Sequence, residues 1–169
     1  MSGIQGRERL QPSLLDRLTD HAPTRLKDTP DSQSVTSAQL RQSVLRDLAA
    51  LLNTSNLATI EDLSQTPLVA KSTLNYGIPG FAGLLDSHSR TSTLERELAD
   101  AIRAFEPRIR PESLRVRAVG QRGDSSMPAL VFEIEGELWA QPVPIQLFLE
   151  TTIEVETRIA VVTEVRENR

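Results

Sequence analysis

The run Phe105-Glu106-Pro107-Arg108 sets a carboxylate, a rigid bend and a guanidinium side by side. It closes a helical pattern, and the proline fixes the direction in which the chain leaves that helix. Arg103 and Arg110 flank it, so one acid stands among three guanidiniums. Such neighbours favour the ionised carboxylate, which is the wrong form for a general acid. The run reads either as a charged docking corner, with Glu106 and Arg108 projecting toward a partner, or as a helix end whose arginines complement the helix dipole.

Other chemistries have thinner support. There is no cysteine, so disulfides, thiolate metal sites and cysteine nucleophiles are excluded. His21 and His88 are too few for a multi-histidine metal centre, and His88 stands in a polar stretch, DSHSR, ahead of a helix. With 23 acidic residues a carboxylate pair for glycoside hydrolysis is arithmetically available. Ligand clefts are, however, mostly apolar and aromatic. This chain has four Phe, one Tyr and one Trp, and Phe105 and Phe132 fall on core stripes. Phosphate-loop, dinucleotide and nucleophile-elbow motifs are missing, and no cofactor or metal is expected.

The net charge of −4 argues against a nucleic-acid partner, which demands a basic face. The charge is unevenly spread: arginines gather between Arg103 and Arg122, and acids dominate from there to the end. All but two of the 19 basic residues are arginine, the exceptions being Lys27 and Lys71. That usage suits planar interface contacts and equally suits GC-rich coding. No apolar run approaches the roughly 18 residues of a membrane span, and the N-terminus lacks the apolar core of a secretory signal. The chain is expected to be soluble, without direct membrane insertion.

The elements that must position these residues follow from periodicity. Residues 1–35 read as a flexible N-terminal segment, and residues 36–169 as one α+β domain. Within the segment, residues 1–12 are expected to be disordered and residues 21–35, with Pro23 and Pro30, to be a linker. SLLDRLTD, residues 13–20, is a short amphipathic helix capped by Ser13, with Leu14, Leu15 and Leu18 on one face. Two turns of helix cannot hold themselves together in water, so that face must dock on its own domain or on a partner.

Thr36 and Gln39 form a capping box, with Val35 and Leu40 as its staple, opening a helix that buries Leu40, Val44, Leu45, Leu48, Leu51 and Leu52. A short helical turn is expected at 59–63 and a short helix from Pro67 to Leu74. Ser92 and Glu95 form a second capping box, opening a helix with Leu94, Leu98, Ala101, Ile102 and Phe105 buried, which Pro107 ends. Beyond it the period becomes two. Leu114, Val116 and Ala118 make one strand, followed by a polar loop from Gly120 to Pro128. Leu130, Phe132 and Ile134 make a second, with a bulge expected at Gly136 and the strand running on through Leu138-Trp139-Ala140. Ile145 to Ile153 make a third, and residues 159–165, with Val161 and Val162, make an edge strand. The expected fold is two to four helices packed on one face of a small, mainly antiparallel sheet formed by the C-terminal half. Its outward face should be acidic, through Glu133, Glu135, Glu150 and Glu154. An open edge could accept a strand from another chain.

Taken in order, PSLLDRLTD, SVLRDLAALLNT, STLNYGIPGF, AIRAFEPRI and the β-rich tail FEIEG to TTIEVET resemble the TssE baseplate subunits of bacterial type VI secretion systems. These are relatives of the small wedge protein of contractile phage-tail baseplates, and the resemblance spans roughly residues 12–165. It implies a structural role in a cytoplasmic baseplate docked at the inner membrane. The implied partners are the wedge subunits TssF, TssG and TssK and the sheath subunits TssB and TssC. By family pattern Glu106, Pro107 and Arg108 hold the wedge core, and the sheet imitates the strand-exchange domain of the sheath. Partner contacts are expected at Arg103, Arg110, Leu14, Leu15, Leu18, Val161 and Val162 as well. Alternatives are a peptidoglycan hydrolase of lysozyme type, a label the family sometimes carries, and an adaptor in another contractile tail-like assembly. Two positions depart from the family pattern: Thr157-Arg158 stands where a Thr-Gly turn is expected, and Gly80 where a polar residue is.

Overall fold

The computed structural model describes residues 13–19, 23–24, 35–80, 88–122, 128–140, 144–154 and 156–165. The expected disorder of residues 1–12 and most of the expected linker lie outside them. Among the described residues there are four α-helices: α1 (Leu14–Leu18), α2 (Ser37–Leu52), α3 (Pro67–Ala70) and α4 (His88–Phe105). A four-stranded antiparallel sheet follows in the order β1 (Arg115–Arg122), β2 (Ala129–Leu138), β3 (Ile145–Glu154), β4 (Ala160–Glu164). This is the expected α+β fold.

Helix α2 begins as its sequence demands. Thr36 Oγ1 accepts from the Gln39 amide, and the Gln39 side chain accepts from the Thr36 amide. Its buried stripe of Leu40, Val44, Leu48, Leu51 and Leu52 joins Leu94, Leu98 and Ile102 of α4 in one core. The sheet contributes Leu130, Phe132, Ile134 and Leu138 from β2 and Leu147, Leu149 and Ile153 from β3. Register places Leu130 opposite Ile153, Ile134 opposite Leu149, and Phe132 opposite the buried Thr151, so one sheet face packs under both long helices.

Several boundaries differ from expectation for local physical reasons. Helix α4 starts at His88, so Ser92 lies inside it rather than at its N-terminal boundary. Glu95 does not close a capping box; its carboxylate accepts the Ala118 amide at 2.7 Å and ties α4 to β1. The bulge is in β1, between Ala118 and Gly120, and β1 runs on to Arg122, where a polar loop was expected. Gly136 pairs with Leu147 without a register shift; a Cβ there would lie 2.8 Å from Ile109 Cγ2, so glycine serves close packing. Strand β2 ends at Leu138 rather than continuing through Trp139 and Ala140, because the Trp139 amide turns to the Arg108 carbonyl.

The turn expected at 59–63 is a 3₁₀ turn at Leu57–Thr59, capped by Asn56. The helix expected from Pro67 to Leu74 splits into α3 and a second 3₁₀ turn at Thr73–Asn75. Asn75 knits this lobe: its side chain accepts the Ala58 amide and donates to the Ala70 carbonyl.

The outward sheet face is less uniformly acidic than expected. Arg115 lies opposite Glu135 and Arg117 opposite Glu133, and only toward β3 do two acids, Glu133 and Glu150, face each other. At the β3–β4 turn Arg158 takes φ +60°, the left-handed conformation for which glycine is the usual choice. Its amide donates to the Glu154 carbonyl at 2.9 Å.

Candidate functional site

Three of the sequence motifs meet around one hollow of about 490 Å³. Leu40, Ser43, Asp47 and Leu51 line it from α2, where spacings of three and four put them on one stripe. Tyr76, from the LNYG run, and Phe105, from the end of α4, stand across it with ring centroids 5.1 Å apart in an edge-to-face pair. Glu106, Pro107 and Arg108 complete the wall, and Ser13 and Val35 lie at the lip. Gly77 makes the LNYG placement possible. Its φ is +119° and a Cβ would sit 2.3 Å from the Thr54 carbonyl oxygen, so that only glycine lets Ile78 pair with Thr54 and Asn56.

The Glu106-Pro107-Arg108 corner does not project. Glu106 is 3 % exposed. The helix ends at Phe105, as the proline requires, and Arg108 folds back onto the acid. Arg108 Nε meets Glu106 Oε1 at 2.6 Å, Nη2 reaches Glu106 Oε2 and Asp47 Oδ2, and Nη1 reaches Ser43 Oγ at 3.1 Å. Burial works against the Arg108 charge, but the carboxylates of Glu106 and Asp47 outweigh it and raise its pKa. The backbone is bolted to the sheet: the Arg110 amide donates to the Glu137 carbonyl, and the Trp139 amide to the Arg108 carbonyl. The corner is thus a joint uniting α4, α2 and the end of β2, with Glu106, Pro107 and Arg108 lining the hollow and only Glu106 of the three buried.

Arg103 and Arg110 do not join that cluster. Arg103 pairs with Asp100 one turn back, and Arg110 lies 3.7 Å from Glu137. Sequence proximity suggested both; beside Glu106, the second acid that meets Arg108 is Asp47, 61 residues upstream.

The N-terminal helix is docked by its polar side. Ser13 caps it, Asp16 pairs with Arg46 of α2 at 2.6 Å, and Arg46 also meets Asp47. The Arg46 guanidinium, with help from the Ser13 hydroxyl, holds the Asp16 carboxyl below the usual aspartate range. Leu14, Leu15 and Leu18 face outward, 71 %, 60 % and 74 % exposed, so this stripe does not dock on its own domain.

Strand β4 lies at the sheet edge, as expected, with Val161 exposed and Val162 half-buried against the core. One residue here escaped the sequence reading. Asn53 Oδ1 accepts the Ala160 amide at 2.9 Å, and Asn53 Nδ2 donates to the Ala160 carbonyl at 2.8 Å. In sequence Asn53 is only the residue that ends α2. Nearby, Arg41 and Glu164 form an ion pair that also ties α2 to β4.

Among the described residues no cluster of His, Cys, Asp and Glu could hold a metal, and no helix is long and apolar enough to cross a membrane. Comparison with curated proteins yields no match. The protein family described as baseplate wedge protein gp25 matches residues 38–143, from α2 through β2 and well over half of the chain. That stretch contains the whole joint, all of α4, and α2 from its second residue through the Asn53 end. The family is structural rather than enzymatic, which sets the hydrolase alternative aside. The chain belongs to the baseplate wedge protein gp25 family, structural subunits of contractile tail-like assemblies that contact baseplate and sheath components.

Proposed function

We propose that this chain is the TssE-type wedge subunit of a bacterial type VI secretion baseplate, linking the wedge to the first ring of the contractile sheath. The observation that carries the reading is the meeting of SVLRDLAALLNT, LNYG and Glu-Pro-Arg around a single hollow. Motifs spread from Ser43 to Arg108 serve one place, which suits a site that takes a partner. In this reading the wedge subunits TssF, TssG and TssK engage the hollow, Pro107 and the outer flank of Arg108. Arg103 and Arg110 lie on the rim of that contact, and Glu106 acts from beneath by holding Arg108. Leu14, Leu15 and Leu18 give a second anchor to the wedge. The β4 edge, at Val161 and Val162, receives a strand of TssB or TssC. The segment 1–35 is the tether of that second anchor and 36–169 the wedge domain proper, working in the cytoplasm at a baseplate docked on the inner membrane.

Co-expression with TssF, TssG and TssK from the same gene neighbourhood tests this. Retention of the tagged chain in a wedge complex is expected. Failure to enter that complex, with entry into a phage-tail wedge instead, assigns the chain to another contractile assembly.

A further inference from the structure

The free side of β4 is shorter than the strand itself. The Glu154 amide donates to the Ile159 carbonyl, and the Val165 amide to the Phe148 carbonyl. With the unbroken β3–β4 register, antiparallel alternation then turns the backbone groups of Val161 and Thr163 toward β3. Those of Ala160, Val162 and Glu164 turn away from the sheet. The Ala160 rung is already filled, because the Asn53 side-chain amide offers it one acceptor and one donor, as a neighbouring strand's peptide group would. Asn53 is itself braced by a bond from Nδ2 to the Ala49 carbonyl at 2.7 Å. Among the described residues no partner meets the outward backbone groups of Val162 or Glu164.

We infer that Asn53 is a register stop: it caps the β4 edge at Ala160, so that an added strand pairs at Val162 and Glu164 and goes no further. This rests on the reading that β4 accepts a sheath strand, and it names what that strand must be. The occupant is an extended segment of another chain. Exposed Val161 and Val165 flank the free rungs on the outer face of the edge, so the segment carries apolar side chains on that face. Because a slip of one residue would turn every side chain of the added strand over, a fixed first rung is what selects its register.

Amide hydrogen exchange on the full chain, free and bound to sheath subunits, tests the inference. In the wild-type protein the Ala160 amide should be protected before and after binding. Those of Val162 and Glu164 should slow at least ten-fold on binding. Asn53→Ala should leave the fold intact, expose the Ala160 amide in the free chain, and let it become protected on binding as the added strand gains a rung. Asn53→Asp keeps the acceptor and should retain Ala160 protection in the free chain, separating the lost hydrogen bond from a frayed helix end. If Val162 and Glu164 stay unchanged on binding, β4 is not the sheath contact and the inference falls with that reading. If they slow but Ala160 of Asn53→Ala stays fast in the complex, the contact stands and the register stop is overturned. Unchanged Ala160 protection in free Asn53→Ala overturns it as well.

Discussion

Glu106 is nearly sealed from solvent, and the group that answers its charge also ties down α2. Glu106→Gln would leave Arg108 with a weaker neighbour inside the joint. Breaking a buried pair from one side costs about 3–5 kcal/mol. Arg108 keeps Asp47 and partly meets solvent, so about 2–3 kcal/mol of lost stability is expected, read from urea denaturation of the isolated chain. Unchanged unfolding would mean that the joint is held without the acid. Thr151 is the converse case. Its hydroxyl is fully buried on the core face with no hydrogen-bond partner among the described residues. Thr151→Val should raise stability by about 1 kcal/mol, since it removes an unmet polar group without changing volume. Arg158 holds a left-handed backbone conformation at a cost, and Arg158→Gly should recover about 0.5–1 kcal/mol. At this scale the sequence names candidates but not their neighbours. Glu106 and Arg108 could be picked out by type, whereas Asp47 and Asn53 could not, because what they touch is distant along the chain.

Helix α1 is an element attached through charge while its leucines stay wet. The Asp16–Arg46 pair is partly exposed, so its contribution is about 0.5 kcal/mol and falls with salt. The folded state depresses the Asp16 pKa, so this contribution is present above the ordinary aspartate value. It is lost as pH falls through the depressed one. Amide exchange should therefore find α1 docked at pH 5 and released only below about pH 4; release at pH 5 would show that another contact holds it. The element reading of the sequence succeeded where signals were local and unopposed. The Thr36 capping box, the Pro107 stop and the alternation in β2 and β3 all depend on neighbours within a few residues. It failed where a side chain had a better use elsewhere. Glu95 looked like a capping partner and instead serves Ala118; Gly136 looked like a bulge and instead makes room for Ile109.

At the scale of the whole molecule, two of the proposed contact regions, the hollow and the β4 edge, draw on different parts of α2. Ser43 and Asp47 serve the joint, and Asn53 and Arg41 serve β4. Their functions should separate. The Val162 amide points away from β3, so Val162→Pro deletes an outward donor while leaving the internal ladder intact. Val161→Pro would break that ladder and is the wrong test. Val162→Pro should abolish sheath recruitment and preserve wedge binding, both measured by co-purification. Equal loss of both would show that the edge and the hollow act as one surface.

The path from edge to joint also has a mechanical meaning. Arg41 and Asn53 grip β4 at points about 18 Å apart along α2, and Asp47 grips Arg108 between them. A tug on β4 is spread in shear over both grips before it reaches the corner, so the helix works as a tie-rod laid alongside the sheet. Load on β4 should then reach the α4–β2 corner as well as the β3–β4 ladder, shared between helix and sheet. Under tension this subunit should yield as a block, late and abruptly.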